Sequence, residues 1–183
     1  FDFGKDRISS ADAPFTPTLE ANWLHGAPAS NLKVKIESQL QSVNTTFSSR
    51  SNYEFDDPAR SFSMEPRAVY EGDLDEEGIA NPSFSLSSQE ELPGRLNASF
   101  HTRVFERGGG FSTDNFNLIY DPYEAYAGVA IPTNKHGSKR IIMNEPAKIP
   151  LTVVDTEGKP VANRKLNVGL YRVDWRWWWD RGN

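Results

Sequence analysis

Ala98-Ser99-Phe100-His101-Thr102-Arg103-Val104 runs through Gly108-Gly109-Gly110 into Phe116-Asn117-Leu118-Ile119-Tyr120. Ala98, Phe100, Thr102 and Val104 share one parity, and Ser99, His101 and Arg103 share the other. After the glycine turn Phe116, Leu118 and Tyr120 resume the pattern, until Asp121-Pro122 stops it. Alternation with a period of two marks strands with one dry and one wet face. That is the habit of antiparallel sheets.

The same reading extends outward. Leu32, Val34 and Ile36 alternate with Lys33, Lys35 and Glu37, and Phe15, Pro17, Leu19, Ala21 and Trp23 share a parity before a turn at Gly26-Ala27-Pro28. Trp23 is therefore expected in the core beside Leu19, Val34 and Ile36. Shorter strands are expected at 53–55, 62–64, 69–72 and 84–86. Turn residues separate them at Asp57-Pro58, Glu65-Pro66, Asn81-Pro82 and Pro93-Gly94. The Ser-, Thr- and Asn-rich segment 41–52 reads as a long loop or irregular edge. Twelve prolines and 13 glycines argue against long helices. Short strands with turns about every 8–12 residues point to a β-sandwich.

The pattern restarts after Asp121-Pro122. Tyr126 to Ile131 reads as a strand. Ile149, Leu151 and Val153 form another, and a hairpin turn follows at Asp155-Thr156-Glu157-Gly158-Lys159-Pro160. Leu166, Val168 and Leu170 alternate on even positions; Tyr171, Val173, Trp175, Trp177 and Trp179 continue on odd ones. That change of parity predicts a β-bulge near residues 169–171. The expected fold class is all-β: tandem antiparallel β-sandwiches, a first unit over 1–121 and an incomplete second over 122–183. The second has too few strands to close alone and is expected to lean on the first, on strands beyond residue 183, or on another chain. Beginning without Met and ending in a tryptophan run, the chain reads as a piece of a longer one.

Composition narrows function by exclusion. The 183 residues carry a net charge of −5, the wrong sign for an electrostatic nucleic-acid binder. No stretch approaches the roughly 20 apolar residues of a membrane-spanning helix, and no signal peptide is read in it. With no cysteine there is no disulfide, zinc–thiolate site, iron–sulfur cluster or thiol nucleophile.

Individual motifs are weak. Asp73-Leu74-Asp75-Glu76-Glu77-Gly78 opens like a calcium loop, but Phe84 stands where the bidentate Glu belongs, so a solvated hairpin turn is the plainer reading. His25, His101 and His136 show no ligand spacing. No Gly-x-Ser-x-Gly elbow and no phosphate loop occur. Asn44-Thr45-Thr46 and Asn97-Ala98-Ser99 match a glycosylation pattern that arises often by chance. Trp175, Trp177 and Trp179 either line a core or domain contact, the preferred reading, or form a sugar-stacking platform. No catalytic, cofactor-binding or metal residue is assigned, and no cofactor or enzymatic activity is expected.

An ordered set of stretches resembles the bacterial alpha-2-macroglobulins. Trp23-Leu24-His25-Gly26-Ala27-Pro28-Ala29-Ser30-Asn31-Leu32-Lys33-Val34, Leu74-Asp75-Glu76-Glu77-Gly78 and Arg103-Val104-Phe105-Glu106-Arg107-Gly108-Gly109-Gly110 are similar to parts of that family's third macroglobulin-like domain. Tyr126-Ala127-Gly128-Val129, the hairpin from Asp155 to Lys165 and the strand from Tyr171 to Asp180 resemble its fourth. Residues 41–67 match nothing in it. The resemblance implies macroglobulin-like sandwiches of immunoglobulin or fibronectin-III type, serving as scaffold in a large extracytoplasmic inhibitor that entraps endopeptidases. The parent would sit in the periplasm or cell envelope, membrane-anchored. Partners would be neighbouring domains of the parent chain and, for the full-length protein, proteases; no nucleic acid is expected. Self-association through the C-terminal strand is a further expectation. The competing reading is a carbohydrate-binding or adhesin-type surface module.

Overall fold

The computed structural model describes residues 2–58, 60, 62–88, 91–133, 137, 141 and 145–170. Of the described residues 42% are strand and 4% helical. The strands are β1 (Arg7–Ser9), β2 (Leu19–Glu20), β3 (Lys33–Ser42), β4 (Arg67–Asp73), β5 (Ile79–Ala80), β6 (Leu96–Phe105), β7 (Phe111–Asp121), β8 (Ala125–Val129) and β9 (Leu151–Asp155). Five form one curled sheet in the order β1-β7-β6-β3-β4. The opening stretch supplies its central hairpin: β6 and β7 pair antiparallel from Leu96 opposite Tyr120 to Phe105 opposite Phe111. β3 lies against the other side of β6, from Lys33 opposite Phe105 to Ser42 opposite Leu96.

Alternation decides which side is dry. Val34, Ile36, Ser38 and Leu40 from β3, Leu96, Ala98, Phe100 and Thr102 from β6, and Leu118 and Tyr120 from β7 all face inward and are buried. Lys35, Glu37 and Arg103 face outward and join in a half-exposed ion-pair chain, with Lys35 Nζ 3.0 Å from Glu37 and Arg103 3.2 Å from it. A second layer closes the core. It is the short antiparallel pair β2–β5, continued by a bridge between Phe15 and Phe84. Its buried side chains include Phe15, Leu19, Leu74, Ala80 and Phe84. The N-terminal segment seals one side: the Phe3 ring lies 5.0 Å from Phe100 and 5.9 Å from Phe116. β1 then joins β7 in parallel, an exception to the expected antiparallel pattern.

Some expectations fail: of the short strands, 69–72 forms within β4, while 53–55, 62–64 and 84–86 each contribute only an isolated bridge. Trp23 is 38% exposed rather than core. β2 pairs with β5, not with β3, and the chain has already turned by Trp23: its N–H donates to Ala27 O, and its carbonyl accepts from Gly26 N–H. Ala29 and Leu32 are the buried residues of this neighbourhood. The strand expected over 166–170 is also missing. Pro160 and Val161 occupy the free side of β9, and Asn163, at φ 57, turns the chain away. Val168 and Leu170 are left in solvent. The bulge expected near 169–171 and the tryptophan run fall at or beyond the limit of the described residues.

Phe100→Ala is expected to cost about 3–5 kcal/mol, as aromatic truncations in closed cores do. Trp23→Ala is expected to cost less than about 1 kcal/mol, the behaviour of a surface turn. Urea unfolding of both variants checks the pair; equal losses would return Trp23 to the core.

Candidate functional site

The most unusual chemistry lies at one end of the sandwich, where β8 and β9 meet the first unit. These two strands form their own antiparallel sheet, Ala125 opposite Asp155 through Val129 opposite Leu151. One face of that sheet packs against residues 45–57 between β3 and β4, which begin in the Ser-, Thr- and Asn-rich segment 41–52. Phe47 and Phe55 from the loop, with Tyr126 and Val154 from the sheet, make a second buried cluster, and Val154 is fully covered. The Phe47 and Phe55 rings meet edge to face with centroids 4.8 Å apart. Burial of such side chains is worth roughly 1.5–3 kcal/mol each.

Two glycines let the rings come this close. A Cβ on Gly128 would lie 2.5 Å from the Phe55 ring, and one on Gly158 2.8 Å from the Phe47 ring. Gly158 also has φ +79, which disfavours any side chain. Backbone pairing completes the contact. Glu54 and Val129 exchange two N–H···O bonds of 2.9 Å each, and Ser49 Oγ donates to Gly158 O at 3.1 Å.

At the centre is an ion pair. Asp121, the last residue of β7, is completely buried, and Arg95, just before β6, nearly so. Arg95 Nε donates to Asp121 Oδ1 at 2.7 Å. Its Nη1 donates to Thr46 O at 3.1 Å, and its Nη2 to Thr156 O. The guanidinium also stacks 4.3 Å above the Phe47 ring. Tyr126 Oη donates to the same Asp121 oxygen at 2.8 Å. From β1, Arg7 Nη1 donates to Thr156 O at 2.8 Å, and its Nε stands 3.7 Å from Asp121 Oδ2. Burial, and then the bond to the Asp121 carboxylate, push the Tyr126 hydroxyl pKa far above its ordinary 10.0.

The turn after β9 presents that Thr156 carbonyl. Asp155 Oδ1 accepts from the N–H groups of Glu157 and Lys159. Asp75 does the same for Glu77 and Ile79. The two turns share the sequence Asp-x-Glu-Gly, at 75–78 and 155–158. The Asp75 carboxylate is thus engaged by backbone amides, as a hairpin turn requires. Among the described residues no three acidic or histidine side chains converge as a metal site. His25 sits in the exposed turn after Trp23, and His101 bonds Asn115 on the outer face of the main sheet at 2.6 Å. His136, Trp175, Trp177 and Trp179 lie outside the described residues. Asn44 is exposed, while Asn97 is held within β6 by Ser99 at 2.9 Å. The sequence indicates a short strand at 53–55 but not its partner, and Phe47 in the polar segment, with Arg95 and Asp121 at strand ends, was the remaining signal for this contact.

Residues 3–117 match the family model for the bacterial alpha-2-macroglobulin MG5 domain. Residues 130–183 match bacterial macroglobulin domain 6. The resemblance drawn from the sequence holds for the family, with domain numbers five and six in place of third and fourth. No curated protein matches the chain. Among solved structures, Escherichia coli alpha-2-macroglobulin activated by porcine elastase aligns with a TM-score of 0.50 and 22% identity, over 78% of this chain and 13% of that one. Salmonella alpha-2-macroglobulin reacted with methylamine aligns with a TM-score of 0.46 and 19% identity, over 63% of this chain and 8% of that one. The chain therefore spans a small part of the proteins it resembles in structure.

Asp121→Ala leaves the Arg95 guanidinium buried without its counter-charge, and the expected loss is about 3–5 kcal/mol. Arg103→Ala, which cuts the half-exposed pair with Glu37, is expected to cost less than about 1 kcal/mol. Denaturant unfolding at neutral pH compares them. A second test uses pH. Above about pH 10 the unfolded chain releases a phenolic proton that folded Tyr126 keeps. The folded state then binds more protons, so its stability is full below that pH and falls as pH rises further. Tyr126→Phe is expected to flatten this alkaline decline, read as the slope of unfolding free energy between about pH 9 and about pH 11; an unchanged slope would count against it.

Proposed function

The chain belongs to the bacterial alpha-2-macroglobulin family, and from that premise we propose that its two β units are scaffold in a larger protease inhibitor. One observation carries the reading: two successive domain models of this family match in order along the chain. The units are taken as 1–121 and 122–183, with the second resting on the first through the Arg95–Asp121 seam. Among the described residues the sheet faces carry packing and ion pairs, which suits a structural role. Entrapment of an endopeptidase belongs to the full-length protein, since a 20.6 kDa piece is too small to enclose one. The periplasm or cell envelope is the proposed compartment, with a membrane anchor elsewhere in the parent chain. Neighbouring domains are the proposed immediate partners, and self-association along residues 171–183 is proposed for the isolated piece.

The test compares the isolated chain with the longer protein that carries it. The longer protein is expected to slow an endopeptidase on protein substrates, and the isolated chain to leave it unaffected at equimolar ratio. Stoichiometric inhibition by the isolated chain would overturn the scaffold reading, and a longer protein without inhibitory action would overturn the family function. Light scattering before and after removal of residues 175–183 checks self-association.

A further inference from the structure

The default for two units on one chain is relative motion, unless their interface is large and apolar or otherwise fixed. A hinge needs a few residues free to absorb backbone rotation. Here the connection is residues 122–124, and it is restrained at each step. Pro122 has a fixed φ. Tyr123 Oη donates to Leu92 O at 2.9 Å and accepts from Leu92 N–H at 3.1 Å, which pins the connection to the first unit. Glu124 leads directly into β8.

The restraint is repeated by segments far apart in sequence. Arg7 and Arg95 share the Thr156 carbonyl, Tyr126 bonds Asp121, and Ser49 bonds Gly158. Glu54 pairs with Val129 as a short continuation of the β8–β9 sheet. Rotation about residues 122–124 would break all of these together. It would also withdraw the Phe47 and Phe55 rings from Gly158 and Gly128 and uncover the Arg95–Asp121 pair.

We infer that the first unit and the β8–β9 hairpin move as one rigid body, so that any rearrangement of the longer protein bends at other places. Arg95, Asp121, Phe47 and Phe55 are its positioning residues. The functional arm of the test rests on the scaffold reading above; the distance arm does not.

The absence of cysteine in these 183 residues gives the distance arm a clean background. Glu54 and Val129 exchange both backbone hydrogen bonds, which sets their Cα atoms about 5.5 Å apart, within the span of a disulfide. In the distance arm, spin labels are placed on the 183-residue chain at Ser112→Cys and Lys159→Cys, across the seam. A second pair, Ser112→Cys and Asp73→Cys, lies within the main sheet. The expected result is one peak for each pair, of equal width. A second peak, or a width more than about twofold greater across the seam, would overturn the inference.

In the functional arm, Glu54→Cys/Val129→Cys is oxidised in the longer protein. The tether is expected to form completely and to leave protease inhibition within about twofold of the reduced form. A tether that forms and abolishes an inhibition present in the reduced form would show that the seam opens in action, and a tether that fails to form would contradict the pairing. If even the protein without added cysteines inhibits nothing, the scaffold reading falls while the distance arm still decides rigidity.

Discussion

The pairing of Arg95 with Asp121 is the constraint around which this chain is arranged. Two charges taken out of water are unfavourable by several kcal/mol each unless their hydrogen bonds are nearly all satisfied. Arg95 and Asp121 Oδ1 make such bonds, while the buried Asp121 Oδ2 has no hydrogen-bond partner among the described residues and is faced by the Arg7 guanidinium at 3.7 Å. Arg95 directs its three nitrogens at a carboxylate and two carbonyls, and its guanidinium carbon stands over the Phe47 ring, 4.3 Å from the centroid. Each acceptor must itself be fixed. Thr46 belongs to a loop held by Thr45, whose Oγ1 accepts from Arg95 N–H while its own N–H donates to Asp56. Thr156 belongs to a turn shaped by Asp155. One buried charge thus fixes the polar loop, the ends of β6 and β7, and the second sheet.

Much of the main sheet was legible because one side faces water. The positions of Val34, Ile36, Ala98, Phe100, Leu118 and Tyr120 in the core follow from parity alone. Parity states which side a residue faces within a strand; it does not state which strand lies beside it. Trp23 was misplaced for that reason: it continues the parity of Leu19 after the chain has begun to turn. The even-numbered apolar residues at 166, 168 and 170 mislead in the same way. They alternate, yet Pro160 and Val161 already occupy the neighbouring edge of β9.

The seam was illegible for a different reason. Its residues follow no period, because a loop that fits against a neighbouring sheet contributes single side chains at irregular spacing. Phe47 stands alone in a stretch whose composition reads as loop, and Phe55 ends a three-residue strand pattern too short to name its neighbour. Asp121 precedes a proline and looks like an ordinary turn residue, although it is fully buried. What distinguishes such groups is the company they keep in space. The two Asp-x-Glu-Gly turns make the point within one molecule. Their internal hydrogen bonds are the same, but the first presents the Glu76 carbonyl to Ser30 of its own unit, and the second presents Thr156 to two arginines of the other.

Salt and solvent act unequally on these contacts, and that inequality bears on what the chain is for. Lys35, Glu37, Glu71 and Arg103 lie on an open sheet face, where dissolved ions screen them and each pair adds little. Arg95 and Asp121 are shielded by protein, so ordinary ionic strength reaches them weakly. Apolar packing alone would hold the two sheets together while tolerating small slips. The directional bonds from Arg95, Arg7 and Tyr126 do not tolerate them, since a shift of about an ångström takes each beyond hydrogen-bond geometry. The seam is therefore suited to fixing an angle between two β units. In a scaffold that frames movement of a larger body, a defined angle is the property required of the parts that do not move.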